Sequence, residues 1–370
     1  MARKEDDAAI RRLLRDNPME GDIVLSFERE PDYFRGTPLP GSDDQTILAF
    51  EGNHVVCMGR CSTRTRYLNG RPRRVAYLSE LRLDRRFAGR ADIVRRGYQF
   101  FEQLGGSADY YFTSIASDNE RSIRLLERGL PGFPAYSVLG ELKTVVIPVP
   151  SSSAGAKRLH DRASHQLRRW SLRHTTAAAH EPDHLAQFLN RAGERRQLAS
   201  SWTGEELARL GEFGLDLADI HLVLEGDKIV GCVAIWDQRL FRQTVIRGYS
   251  RKLSLLRPWL NASARIFGFP RLPVPGSALA HAFLSPFAVC SEQPSIFVNL
   301  VQLCLACASS KDIEYVTLGL DAREPAFAAI CKTFSCRVYS SRLYQVHWLR
   351  AKARPEPLDG RPLLPEIAFL

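Results

Sequence analysis

Val75-Ala-Tyr-Leu-Ser-Glu80-Leu-Arg-Leu-Asp-Arg85-Arg-Phe-Ala-Gly-Arg90-Ala-Asp-Ile-Val94 is the stretch on which the fold turns. Val75 to Leu83 is apolar and predicts a strand. Ala91 to Leu104 has helical periodicity, and only the polar loop Asp84 to Arg90 separates the two. A strand that runs through a tight loop into a helix aims backbone N–H groups and the positive end of the helix dipole at one point. A pyrophosphate needs such a point. Gly89 lets the backbone approach phosphate oxygens, Ala91 keeps the first helical turn uncrowded, and Arg86 and Arg90 offer charge-assisted contacts.

Working outward, Tyr110 to Ile115 predicts the next strand and Glu120 to Arg128 the next helix. Asp118-Asn119 stands where an N-cap belongs. Upstream, Asp7 to Asp16 predicts a helix, and Thr46 to Gly59 a hairpin turning at Glu51-Gly52. The same order recurs later: a helix over Pro182 to Ala192, a hairpin over Ile220 to Val233 turning at Glu225-Gly226, and a strand over Ala278 to Val289. A helix over Ser295 to Ala308, a strand over Ile313 to Gly319 and a helix over Glu324 to Thr333 complete it. A duplication of this size in 370 residues predicts two α/β domains. The halves differ by an insertion, Arg251 to Gly276, whose leucines, Trp259, Phe267, Phe269 and prolines suit packing between domains better than a substrate groove.

Between the halves, Pro148 to Gly155 mixes stiff and flexible residues as linkers do, and Ala156 to Arg173 predicts a basic helix. Residues 151–180 hold six cations against one acid, half of the net +10. That concentration in one connector makes nucleic acid an unexpected partner, although Trp170 beside Arg168, Arg169 and Arg173 keeps a polyanion among the alternatives. No apolar run suffices to span a membrane, so none is expected as a partner, and the N-terminus carries no signal-peptide core; the expected location is the cytoplasm. Eight cysteines in apolar segments imply reduced, buried thiols. Cys304-x-x-Cys307 lacks a second pair, and no metal site is expected. Gly-x-Ser-x-Gly, Walker and His-Glu-x-x-His motifs are missing.

Arg86-Phe87-Ala88-Gly89-Arg90-Ala91 resembles the Arg/Gln-x-x-Gly-x-Gly/Ala signature with which the GNAT superfamily grips the pyrophosphate of acetyl-CoA. In the next block Asn119 and Ser122 match family positions near the CoA arm, and Gly132-Phe133 resembles a Gly-Phe found in many members. The motifs cover most of residues 5 to 145, while 175 to 348 match by element order only. The resemblance implies an α/β (α+β) chain of two tandem GNAT-like domains, each a mixed, mostly antiparallel sheet flanked by helices. Residues 1–150 form an acyl-CoA-binding domain, 151–180 a basic linker helix, 181–350 a degenerate copy and 351–370 a tail. In the second half, Phe287 to Ser295 replaces the phosphate loop without a glycine and with Glu292, so that half is not expected to bind CoA.

The implied activity is N-acyl transfer, most simply acetyl transfer, from acetyl-CoA or another acyl-CoA to an amine by direct attack. Cofactor contacts fall on Leu81, Leu83, Arg86, Phe87, Ala88, Gly89, Arg90, Ala91, Asn119 and Ser122, and a backbone N–H around Leu81 to Leu83 stabilises the oxyanion. Glu80 is the candidate base; the alternative is a surface pair with Arg82 or Arg74. The tyrosine that often serves the family as acid falls at Leu126, leaving Tyr136, Tyr111, a water or the CoA sulfur for that step. A non-catalytic acyl-CoA-binding or regulatory protein is the alternative reading. The acceptor amine is not encoded, and a homodimer stays open.

Overall fold

The computed structural model describes residues 1–104, 108–267, 271–289, 293–348 and 356–370, and of 264–267 the backbone alone. The first half runs α1 (Asp7–Asp16), β1 (Ile23–Glu28), β2 (Ser42–Glu51), β3 (His54–Leu68), β4 (Arg71–Leu83), α2 (Ala91–Gln103), β5 (Tyr110–Ala116), α3 (Glu120–Glu127) and β6 (Ala135–Pro148). Then come α4 (Ser153–Arg169), β7 (Leu172–Thr176), α5 (Pro182–Gly193), α6 (Gly204–Arg209), β8 (Ile220–Glu225), β9 (Lys228–Trp236), β10 (Gln243–Tyr249) and α7 (Arg251–Phe267). β11 (His281–Val289), α8 (Pro294–Ala308), β12 (Tyr315–Asp321), α9 (Pro325–Thr333) and β13 (Arg337–His347) complete the order.

Local chemistry accounts for these elements. α1 buries Ile10, Leu13 and Leu14 along one face, the spacing of a single helical stripe. Both hairpin turns place a glycine in the left-handed region, Gly52 at φ +56° and Gly226 at φ +59°, where other residues strain. α3 starts where the Asn119 side chain accepts the Ser122 N–H at 3.2 Å.

One sheet holds the molecule together, in the order β2-β3-β4-β5-β13-β6-β12-β11-β9-β8-β7. Its pairs are antiparallel except β4 with β5 and β11 with β12. At the centre the halves exchange strands. β13, from the second half, pairs with β5 of the first, and β6 crosses to pair with β12. A second, two-stranded sheet joins β1 to β10.

Two expectations change. The connector is helical over Ser153–Arg169 only; Leu172–Thr176 is strand β7, paired with β8, because Leu172 continues the sheet's apolar edge. α4 is packed, burying Ala163 and Leu167 in the core formed with α8. Among the described residues of the insertion, the large apolar side chains Leu255 and Trp259 of α7 face solvent instead of an interface between halves, at 78% and 77% exposure. Phe269 and the side chain of Phe267 lie outside the described residues, as do Cys290, Ser291 and Glu292 of the replaced loop. Cys304 is fully buried against the sheet, as expected of a core thiol.

Two parallel pairs are cut short. β4 pairs with β5 only over Val75–Tyr77, and β11 with β12 only over His281–Phe283. Beyond these points the strands part. The opening in the second half is covered by the chain's last residues: Glu366 accepts from Ser285 Oγ of β11 at 2.6 Å, and Ile367 packs on Gly319 of β12. No such segment covers the opening between β4 and β5 among the described residues.

Candidate functional site

A cavity of about 1040 Å³ occupies that opening. It runs from Phe87 and Arg90 at the head of α2, past Asn119, Ser122, Leu126 and Tyr136, to Arg29, Glu80 and Arg242. Its far wall comes from the second half and the tail, through Gln238, Phe241, Arg242, Ala368, Phe369 and Leu370.

The opening starts at a bulge. The β3·β4 register slips between Met58 and Arg60, so Glu80 and Leu81 together face Gly59. Glu80 takes φ +51°, a left-handed conformation that costs a non-glycine residue energy. Between the end of the β4·β5 pairing and the bulge a side-chain bond, Thr113 Oγ1 to the Leu78 carbonyl at 2.7 Å, spans the two strands. Leu81, Arg82 and the Glu80 carboxylate thereby line the cavity.

Glu80 has partners other than those anticipated. Arg29 Nε donates to its Oε1 at 3.1 Å, Tyr33 Oη to its Oε2 at 3.0 Å, and Arg60 Nη1 stands 3.7 Å from Oε1. Arg60 in turn bonds Asp44 at 2.9 Å. Burial opposes ionisation of Glu80, but Arg29 and Arg60 outweigh it and hold the carboxyl at about 2. A carboxylate so satisfied is a poor proton acceptor, which argues against the expected role of base. Arg82 Nη1 donates to the Leu81 carbonyl at 3.0 Å, and Arg74 Nη2 stands 3.8 Å from Asp43.

The loop between β4 and α2, expected to hold phosphate, is closed by bonds of its own. Arg85–Phe87 forms one 3-10 turn capped by Asp84, and Gly89 adopts φ +92°. A Cβ at Gly89 would meet nothing within 4 Å, so backbone conformation, not crowding, calls for glycine. The N–H groups of Phe87, Ala88, Arg90 and Ala91 bond carbonyls inside the loop. Arg86 is tied to Asp84 at 2.8 Å and lines a separate hollow beside α1, while Arg90, tied to Asp92, reaches the main cavity. Of the expected cofactor contacts, Leu81, Phe87, Arg90, Asn119 and Ser122 line the main cavity; Leu83, Arg86, Ala88, Gly89 and Ala91 do not.

Midway, Tyr136 Oη lies 2.6 Å from Tyr98 Oη, beside Leu126. Burial pushes the Tyr98 hydroxyl up to about 12 and Tyr136 well above its ordinary value, so both keep their protons at neutral pH. Tyr111 stands apart, packed on Phe101 and Trp348.

The sequence reading missed Arg29, Tyr33, Arg60, Tyr98, Arg242 and the tail. Arg60 carried a usable signal, being a charge inside the apolar run of β3, where burial demands a partner. Arg242 Nη1 donates to the Ala368 carbonyl at 3.3 Å and Nη2 to the Leu370 oxygen, bringing the tail to the cavity wall. Among the described residues no cluster of His, Cys, Asp and Glu has the makings of a metal site, and no helix is long and apolar enough to cross a membrane.

The sequence matches no family model and no curated protein. Solved structures do match. Saccharomyces cerevisiae N-myristoyltransferase with bound myristoyl-CoA aligns with TM-score 0.56 at 11% identity, over 94% of this chain and 77% of that one. The same enzyme with myristoyl-CoA and inhibitors aligns with TM-score 0.57 at 11% identity, over 96% and 82%. A GCN5-related N-acetyltransferase from Kribbella flavida aligns with TM-score 0.42 at 12% identity, over 81% of this chain; the chain spans 60% of its length. With strands parting at a bulge and a loop and helix at the mouth of the opening, the chain shares the fold of the yeast N-myristoyltransferase structures.

Proposed function

We propose that this chain transfers an acyl group from acyl-CoA to an amine. The observation that carries the reading is the single cavity joining the head of α2 to the gap between β4 and β5 and on to a wall built by the second half. That shape suits a donor entering from the α2 side and an acceptor held on the far side. The yeast neighbours hold myristoyl-CoA; for this chain the donor is acetyl-CoA or a longer acyl-CoA.

In this reading Arg90 and the head of α2 hold the pyrophosphate, and the pantetheine arm lies along Leu81 with Asn119 and Ser122 beside it. The amine nitrogen attacks the thioester carbonyl, the carbon–sulfur bond breaks, and the thiolate takes a proton. Tyr136, protonated and bonded to Tyr98, is the acid for that step, while a water accepts the proton shed by the amine. Glu80 holds Arg29, Arg60 and Tyr33 in one wall and so positions the acceptor. Backbone N–H groups after the bulge, around Leu81 to Leu83, stabilise the oxyanion.

Thermal unfolding with and without acetyl-CoA and myristoyl-CoA tests the reading. Ligand at ~100 times its dissociation constant adds about 2.7 kcal/mol. Gly89→Glu, which sets a bulky anion in the loop, abolishes the gain. No shift with either thioester rejects acyl-CoA as donor; a shift without turnover on any amine favours the non-catalytic reading.

A further inference from the structure

The segment from Ser250 to Gly276 contains Arg251, Lys252, Arg257, Arg265 and Arg271 and no acidic residue. Its helix α7 presents two adjacent ridges to solvent, Arg251-Leu255-Trp259 and Lys252-Leu256-Leu260, each with residues four apart on one face. Leu255 and Trp259 are more than three-quarters exposed, Leu256 is 45% and Leu260 41%. Val274, in the strand of chain that folds back along the helix, is 59% exposed.

The opposite face of α7 is fastened. Asn261 exchanges two hydrogen bonds with the backbone of Leu272, at 3.1 and 2.7 Å, and Arg257 Nε donates to the same carbonyl at 3.2 Å while stacking over Tyr249. The apolar ridges are therefore held outward by the fold. An exposed Trp and three Leu headed by paired cations suit the boundary of a bilayer, where the indole sits at headgroup level and Lys and Arg meet anionic lipid.

We propose that α7 docks the protein on an anionic lipid bilayer, lying in the interface without crossing it. Arg251 and Lys252 at the head of the two exposed ridges, in a segment without an acid, select this surface over an apolar groove on a protein, which supplies no field of matching charge. A spanning helix needs about 20 apolar residues; a surface-lying one needs only such a face.

Vesicle flotation of the full chain tests this, with phosphatidylcholine alone and with phosphatidylcholine and phosphatidylglycerol in equal parts. Binding is expected to the mixed vesicles and to fall away in about 1 M salt, where the screening length drops to about 3 Å. Leu255→Ser with Trp259→Ser abolishes it, and Arg251→Ser with Lys252→Ser weakens it on the order of fivefold per cation. All four side chains are exposed, so the variants keep the melting temperature of the wild type. Failure to float with the mixed vesicles, or equal flotation by the variants, overturns the proposal. So does a wild type that sediments as a dimer or larger through this face, with the serine variants monomeric and neither binding lipid.

Discussion

Two buried histidines set how the fold responds to acid. Burial, then the neighbouring His174, holds His221 down at about 3; burial and Arg242 hold His281 at about 4. Both are neutral in the folded chain, while the unfolded chain binds protons below about 6.5. Their contribution is thus complete above about 6.5 and declines as pH falls toward the folded values, by about 2 kcal/mol for each at pH about 5. Melting temperature should fall between pH about 7 and 5, and less steeply in the double variant His221→Gln, His281→Gln. A flat wild-type profile contradicts this account. At Glu80 residue identity was legible and its surroundings were not: the bulge and Arg29, the residue after β1, bring cations to the carboxylate of the candidate base.

Among elements, α4 separates composition from placement. Its charge describes a solvated connector, yet Ala163 and Leu167 are buried with Leu303 and Cys304 of α8. Ala163→Asp sets a carboxylate in that core without a partner and should cost several kcal/mol. Arg162→Asp, one residue away on the exposed face, should change stability by less than about 0.5 kcal/mol. Denaturant titration of the two variants decides, and equal, small effects would mean that α4 does not hold the core. The same helix shows the limit of periodicity, which marks an apolar stripe and not where it stops: Leu172 and the residues after it follow a β pattern too short to separate from the helical one.

For the whole molecule, strand exchange is the controlling feature. A fragment of residues 1–150 lacks β13, and one of residues 151–370 lacks β6, whose Leu142, Val145 and Ile147 are buried at the sheet's centre. Produced separately, neither should melt cooperatively; produced together, they should co-purify as one folded complex. A cooperative transition in either fragment alone would show that the exchange is dispensable. Equally global is the clasp on the tail, where the Arg64 guanidinium lies 4.4 Å from both the Trp202 and Phe369 rings and so fixes the last residues against the cavity wall.

By itself the sequence determined the alternation of strands and helices, the two glycine turns, the loop between β4 and α2, and the cap at Asn119. These depend on neighbours within a few residues, through periodicity, φ and local hydrogen bonds. Tertiary structure decided which halves share strands, which opening the tail covers, where Arg29, Arg60 and Arg242 meet, and that α7 faces water. Those outcomes depend on contacts between residues tens to hundreds apart, and on burial, which carries no period that a single chain of letters displays.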